Sequence, residues 1–306
     1  MEIYNLVESK TCWGHYYNEY KLVKKISRGS TTKVYLATKN SKKFALKVYP
    51  QYEVDKVVNI RLEENSKGQK QMKHVRKRDK IVNEAKIISS LKHKNIVSLH
   101  EILKSNDEMI LVLDYCGENH LMNWNKIDRK FSVSAAAKRL FDSNGSTFTE
   151  KGVFQIAKCL SEIIKYLRDK NVAHRDIKPE NILINNDNED ISLIDFSISE
   201  SFENISPIFS SNNAGTPNFM APETGKPEYC PFKAEVWSFG VLLFVLRFGF
   251  APFDAEKRND VFNNINNKPI AFAEEDVSDK FRALLEKMLC KEPLERISID
   301  GIIKFL

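Results

Sequence analysis

The spacing of apolar residues changes several times along the chain, and each change marks an element. Val34-Tyr35-Leu36-Ala37 and Phe44-Ala45-Leu46-Lys47-Val48 are β-prone runs within a strand-rich stretch, residues 20–48, and the polar turn Lys39-Asn40-Ser41-Lys42 separates them. Residues 79–91 switch to helical spacing, with Ile81, Ala85, Ile88 and Leu91 three or four apart. Residues 96–103 and 109–115 read as two further strands. An irregular stretch over 117–147 ends in the turn signal Phe141-Asp142-Ser143-Asn144-Gly145-Ser146. Helix resumes over 150–168, where Val153, Ile156, Ala157, Leu160, Ile164 and Leu167 share one face. Ile182-Leu183-Ile184 and Ile191-Ser192-Leu193-Ile194 predict a hairpin over a polar turn. The longest apolar run, Val241 to Leu246, is stopped by Arg247, so it predicts a buried helix and not a membrane span.

The chain has 306 residues, 42% of them hydrophobic, enough for a full core and for about two domains or lobes. Its net charge of +6, from 47 basic and 41 acidic residues, makes no case for nucleic-acid binding. The 5 cysteines, Cys12, Cys116, Cys159, Cys230 and Cys290, are odd in number and lack CxxC spacing, which fits a reducing compartment better than a disulfide framework or a metal site. The N-terminus has no signal-peptide core. Residues 1–19 form an aromatic-rich extension with Trp13, Tyr16 and Tyr17, expected to pack on the back of the strand-rich part or to dock a partner. Residues 51–80 are a charged insert ending in Lys73-His74-Val75-Arg76-Lys77-Arg78. Such runs are usually solvated and mobile; a nuclear-import signal and a substrate-docking patch stay open.

The chemistry concentrates in His174-Arg175-Asp176-Ile177-Lys178-Pro179-Glu180-Asn181. Asp176 can accept a proton from an incoming hydroxyl, Lys178 can neutralise phosphate charge, and Asn181 can ligate a divalent cation through its amide oxygen. These are parts for phosphoryl transfer, where catalysis is mostly positioning and electrostatics.

This stretch resembles the catalytic loop of eukaryotic protein kinases. Asp195-Phe196-Ser197 follows at 195 − 176 = 19 residues, where that family has Asp-Phe-Gly, and Ala221-Pro222-Glu223 closes the segment beyond it. The resemblance runs from about Tyr20 to Leu306. It implies an α+β, bilobal protein kinase fold: a small β-rich N-lobe with helix αC over residues 20–116, insert included, and a larger, mainly helical C-lobe over 117–306. It makes Asp195 the main Mg²⁺ ligand beside Asn181, and pairs Lys47 with Glu84 of the 79–91 helix to hold ATP phosphates. Ile26-Ser27-Arg28-Gly29-Ser30-Thr31-Thr32-Lys33-Val34 then becomes the lid over the nucleotide, with Ser27 and Thr32 where the family has glycine. Leu113 takes the position behind the adenine, Asp114 and Cys116 offer it backbone groups, and Val34, Ala45, Leu183 and Ile194 sandwich it. Thr216 near Asp176 and Lys178 resembles the serine/threonine arrangement. Glu223 would pair with Arg296, a pairing that argues for a protein substrate, and Glu235 stands where the family braces the catalytic loop with aspartate.

Within the family, Asn18-Glu19-Tyr20-Lys21-Leu22, the 214–223 stretch and Met288-Leu289-Cys290-Lys291-Glu292-Pro293 are similar to the calcium/calmodulin-dependent kinase kinases and related upstream kinases of AMP-activated-type kinases. That resemblance implies an ATP- and Mg²⁺-dependent serine/threonine kinase acting on the activation loop of another kinase. It is expected as a cytoplasmic or nuclear monomer without nucleic-acid or membrane partners. Two alternatives stand: a kinase of another pathway, such as cell cycle or morphogenesis, and a pseudokinase scaffold, suggested by Ser27, Thr32, Ser197 and Glu235. In many kinases a phosphorylated loop residue pairs with the arginine at Arg175. The usual acceptor falls at 215 − 3 = 212, which is Asn212, so the segment is expected to work without that phosphate unless Ser210 or Ser211 supplies one.

Overall fold

The chain falls into two units, Met1–Cys116 and Gly117–Leu306, in a computed structural model that describes residues 3–11, 14–28, 32–64, 70–185, 190–202, 214–226, 228–272 and 277–306. The first unit opens with strands β1 (Ile3–Asn5), β2 (Glu8–Thr11), β3 (Gly14–Tyr17), β4 (Tyr20–Arg28), β5 (Lys33–Lys39) and β6 (Lys42–Pro50). A helical turn α1 (Gln51–Val54), a separate hairpin of β7 (Val57–Glu64) and β8 (Lys70–Arg76), and helix α2 (Lys77–Ser90) follow. Strands β9 (Leu99–Lys104) and β10 (Glu108–Asp114) end the unit.

Eight of these strands form one sheet in the order β1-β9-β10-β6-β5-β4-β3-β2. The β5–β6 turn lies where the polar run predicts it. Asn40 (φ 50°) and Ser41 (φ 62°) both take the left-handed conformation that matches a two-residue hairpin to strand twist. Tyr17, Tyr20, Leu46, Val48, Leu103, Ile110 and Val112 fill the core beneath the sheet.

Two expectations change here. The aromatic extension supplies β1, β2 and β3 and so adds a strand to both edges of the sheet, instead of lying on its back. The β3–β4 turn holds the short link that joins those two edge strands. Asn18, at φ 52°, accepts from Val7 N (2.7 Å) and donates to Asn5 O (3.0 Å) through its side chain, while its own N–H donates to Val7 O (2.8 Å). The insert, expected as a solvated run, carries the β7–β8 hairpin, tethered at its base. Lys77 Nζ lies 3.1 Å from Glu53, Arg78 Nη2 lies 2.6 Å from Asp55, and Arg76 reaches Asp55 O at 3.3 Å.

The second unit begins with β11 (Asn119–His120), the hairpin β12 (Met122–Asn125) and β13 (Lys130–Val133), helical turn α3 (Ala137–Leu140), and β14 (Ser143–Asn144) paired with β15 (Thr147–Phe148). The stretch 117–147, expected to be irregular, thus holds two hairpins; Arg129 locks the larger one to Asp254 with bonds of 3.0 and 2.6 Å. Then come α4 (Glu150–Asp169), β16 (Val172–Ala173), β17 (Ile182–Asn185), β18 (Asp190–Leu193), β19 (Glu200–Ser201), α5 (Pro231–Phe248), α6 (Arg258–Asn267), α7 (Asp279–Met288) and α8 (Ile299–Phe305). Helix α4 starts on a Thr149 cap that accepts from Gly152 N, and every apolar position assigned to its inner face is buried. Helix α5 starts with Pro231 at its first turn, is buried from Ala234 to Leu246, and ends on Gly249 at φ 78°, whose N–H donates to Val245 O. No described helix is long and apolar enough to cross a membrane. Cys116, Cys159, Cys230 and Cys290 are free thiols, while Cys12 and Trp13 lie outside the described residues.

Asn18 generates a stability prediction. Asn18→Ala removes two side-chain hydrogen bonds and puts a Cβ-bearing residue with no local hydrogen bond at positive φ, so it should cost about 1–3 kcal/mol in urea unfolding. Asn18→Gly keeps the φ and should cost less. Equal, unshifted midpoints in both variants would contradict the role of Asn18 in holding the β1–β2 link.

Candidate active site

In the first unit the site residues stand on adjacent strands. Lys47 on β6 faces Val34 on β5 and Leu111 on β10, and Ala45 faces Leu113, so Val34, Ala45, Lys47 and Leu113 share one face of the sheet. Lys47 Nζ lies 2.8 Å from Glu84 Oε1, and Glu84 is only 1% exposed on α2. An ion pair this deep needs its remaining lone pairs met. Tyr49, two residues beyond Lys47, meets one of them by donating to Glu84 Oε2 at 3.0 Å. No sequence motif marks Tyr49, although its period-two spacing from Lys47 places it on the same face.

Asp114 and Cys116 follow at the end of β10. His100 Nε2, 2.6 Å from Asp114, holds that carboxyl below the usual carboxylate range. Cys116 is buried. Of the predicted lid, Ile26, Ser27, Arg28, Thr32, Lys33 and Val34 belong to the described backbone, with Ser27 opposite Val34 and Arg28 opposite Lys33. Gly29, Ser30 and Thr31 lie outside the described residues.

The second unit gathers Asp176, Lys178, Asn181 and Thr216 around one carboxylate. Thr216 Oγ1 donates to Asp176 Oδ1 at 2.8 Å, and Lys178 Nζ lies 2.8 Å from Thr216 Oγ1 and 2.7 Å from Asp176 Oδ2. Asn181 Nδ2 donates to Asp176 Oδ2 (2.9 Å) and to Asp176 O (2.8 Å). A carboxylate offers about four acceptor positions. Among the described residues three groups use Asp176, which leaves one acceptor position for an incoming hydroxyl.

Asp195 follows β18 at φ 62°, and the residue before it, Ile194, is pinned because its N–H donates to Asn181 O at 3.0 Å. Asn181 and Asp195 are therefore held by neighbouring backbone. Both present hard oxygen donors, and the two Asn181 amide bonds use Nδ2, leaving Oδ1 for a cation. Mg²⁺ takes one or two protein oxygens and completes its shell with phosphates and water, so this donor set fits it.

The loop's backbone is fixed from beneath by α5. Glu235 Oε2 accepts from His174 N (2.7 Å) and Arg175 N (3.2 Å). Burial pushes the Glu235 carboxyl up to about 7, with the two amides pulling against it. His174 is buried too, and burial lowers its imidazole from the ordinary value. Its Nδ1 accepts from Asp176 N (3.2 Å), so Nε2 carries the proton and donates to Ile194 O (2.9 Å). One neutral ring thus ties the Asp176 loop to the Asp195 segment. His174 opens the 174–181 stretch, and the sequence alone assigns it no role. Leu183 on β17 is buried.

Glu223 receives Arg296 through two bonds, 2.6 and 2.9 Å. Arg296 also donates to Cys290 O and Lys233 O, and its guanidinium sits 5.1 Å from the Trp237 ring centre. Arg175 meets Glu200 on β19, with Nη1 2.7 Å from Oε1. Asn212, Ser210 and Ser211 lie outside the described residues.

Residues 20–305 match the protein kinase domain family. The chain therefore belongs to that family. It is 29% identical to the probable serine/threonine-protein kinase fhkE of Dictyostelium discoideum, over 99% of this chain and 39% of that protein. It is 28% identical to the carbon catabolite-derepressing protein kinase of Saccharomyces cerevisiae, over 98% of this chain and 42% of that protein. Serine/threonine-protein kinase 17A of Oryctolagus cuniculus matches at 28%, over 68% of this chain and 50% of that protein. The chain spans half or less of the length of these three relatives.

The raised Glu235 carboxyl sets a pH dependence. Its folded value, about 7, exceeds the model-peptide value of 4.5, so the folded chain binds the proton more tightly. Its destabilising contribution is absent below about pH 4.5, grows as pH rises, and is complete above about pH 7. Glu235→Gln should therefore gain stability relative to the parent across that window, on the order of 2–4 kcal/mol in urea unfolding. A stability difference that stays constant with pH would refute it.

Proposed function

We propose that this chain transfers the γ-phosphoryl group of ATP to a serine or threonine hydroxyl of a protein. The observation that carries the reading is the arrangement of Thr216, Lys178 and Asn181 around the Asp176 carboxylate. The substrate hydroxyl takes the remaining acceptor position of Asp176 and gives up its proton there. Its oxygen bonds to the γ-phosphorus as the bond to the ADP oxygen breaks, and ADP leaves with that electron pair. Lys178 neutralises charge on the transferring group, and Lys47, fixed by Glu84 and Tyr49, presents its ammonium to phosphate. Asn181 and Asp195 are the groups that would hold Mg²⁺, whose chemistry is to neutralise charge on phosphate oxygens.

The finer reading places the substrate in the activation loop of a kinase of the AMP-activated type. Its support is the likeness of residues 18–22, 214–223 and 288–293 to the upstream kinases of that class. The Glu223–Arg296 pair favours a protein over a small-molecule acceptor.

Asp176→Asn should lower kcat by about a hundredfold or more while equilibrium binding of ATP is retained. An unchanged rate would remove Asp176 as the base. Phosphosite mapping on a candidate AMP-activated-type kinase tests the substrate. Phosphate on its activation-loop threonine supports the finer reading. Phosphate only on unrelated proteins would overturn that reading and leave the kinase assignment standing.

A further inference from the structure

Glu200 looks like an ordinary surface acid in the sequence, and the strand register gives it a different place. Strand β19 pairs antiparallel with β16, which sets Glu200 opposite Ala173, two residues before Arg175. The bonds around it keep that register. Phe202 N donates to Asn171 O (2.8 Å), Ser199 N donates to Phe196 O (3.1 Å), and Ser199 Oγ donates to His174 O (3.0 Å). Glu200 Oε1 then lies 2.7 Å from Arg175 Nη1, and the arginine side chain is only 6% exposed.

Arg175 is a demanding residue to hold. It sits at φ 70°, unusual for a side chain with a Cβ, and its guanidinium is nearly out of water. A cation buried to that degree needs a paired anion. Its backbone N–H is already held by Glu235, and the next residue is Asp176.

We propose that Glu200 is a positioning residue for phosphoryl transfer, acting through Arg175. Its carboxylate neutralises the guanidinium and fixes the chain one peptide bond ahead of the base. Where such an arginine waits for a charge, a phosphate added to the activation segment supplies it. Here a carboxylate built into the fold does so, and its negative charge would also repel an incoming phosphate. The consequence is a kinase whose catalytic loop is set without a phosphorylated activation segment. The inference rests on the kinase reading above.

The test uses the full chain and its Glu200→Gln and Glu200→Asp variants, each treated with phosphatase. They are assayed on a serine/threonine peptide, with Asp176→Asn as the inactive control. Treated parent enzyme should keep its kcat. Glu200→Gln should lose about tenfold in kcat with the KM for ATP within about twofold, and Glu200→Asp should recover part of the loss. Amide exchange at Arg175 and Asp176 should quicken in Glu200→Gln. Parent-like kcat and exchange in Glu200→Gln would overturn the proposal, as would a parent enzyme that phosphatase inactivates. A parent that transfers no phosphate, treated or untreated, would remove the kinase reading instead. Exchange at Arg175 and Asp176 would then still decide whether Glu200 holds the loop.

Discussion

A single buried carboxylate underlies the geometry of the 174–181 loop. Glu235 is carried by the most buried helix of its unit, and its Oε2 accepts both amides that precede Asp176. Burying an acid is costly, as its raised protonation range reflects, and the fold accepts that cost where the gain is position. Relative to aspartate, the glutamate adds one methylene, and both amide contacts are nevertheless made. With the backbone at His174 and Arg175 fixed, the His174 ring reaches Asp176 N on one side and Ile194 O on the other. The positions of Asp176, the Thr216–Lys178 pair and the Asp195 segment follow from that anchor.

The same physical device recurs at two other points. Lys47–Glu84 in the first unit and Glu223–Arg296 in the second are buried charges with near-complete hydrogen bonding: Tyr49 on one pair, and backbone carbonyls and an aromatic face on the other. Such pairs contribute little net stability, because desolvation offsets their attraction. What they contribute is direction. Each fixes a side chain or a loop to within a hydrogen bond's tolerance, the requirement of a reaction governed by positioning.

Local pattern made much of this legible in the sequence. The 79–91 periodicity placed Glu84 on the inner face of a helix, and the apolar face of α4 matched the buried one. The Lys39–Lys42 turn was visible from composition. Features set by non-local pairing were not visible. Strand β1 has three residues and joins the sheet in parallel beside β9, nearly a hundred positions away, so no local signal marks it. In the insert, lysines and arginines masked the β-prone residues of the β7–β8 hairpin. Glu200 shows no chemistry until the β16–β19 register sets it two residues from Arg175. Tyr49 carried a signal in its spacing, whose meaning depended on Glu84 needing a second partner.

The Glu235 carboxylate grips the 174–181 loop through the His174 and Arg175 amides. The most direct measurement is the backbone ¹⁵N–¹H resonance of His174, followed from about pH 5 to pH 9 in the parent chain and in Glu235→Gln. The parent resonance should titrate with a midpoint near 7, and this titration should disappear in the variant. A His174 amide that titrates identically in both proteins, or in neither, would contradict it.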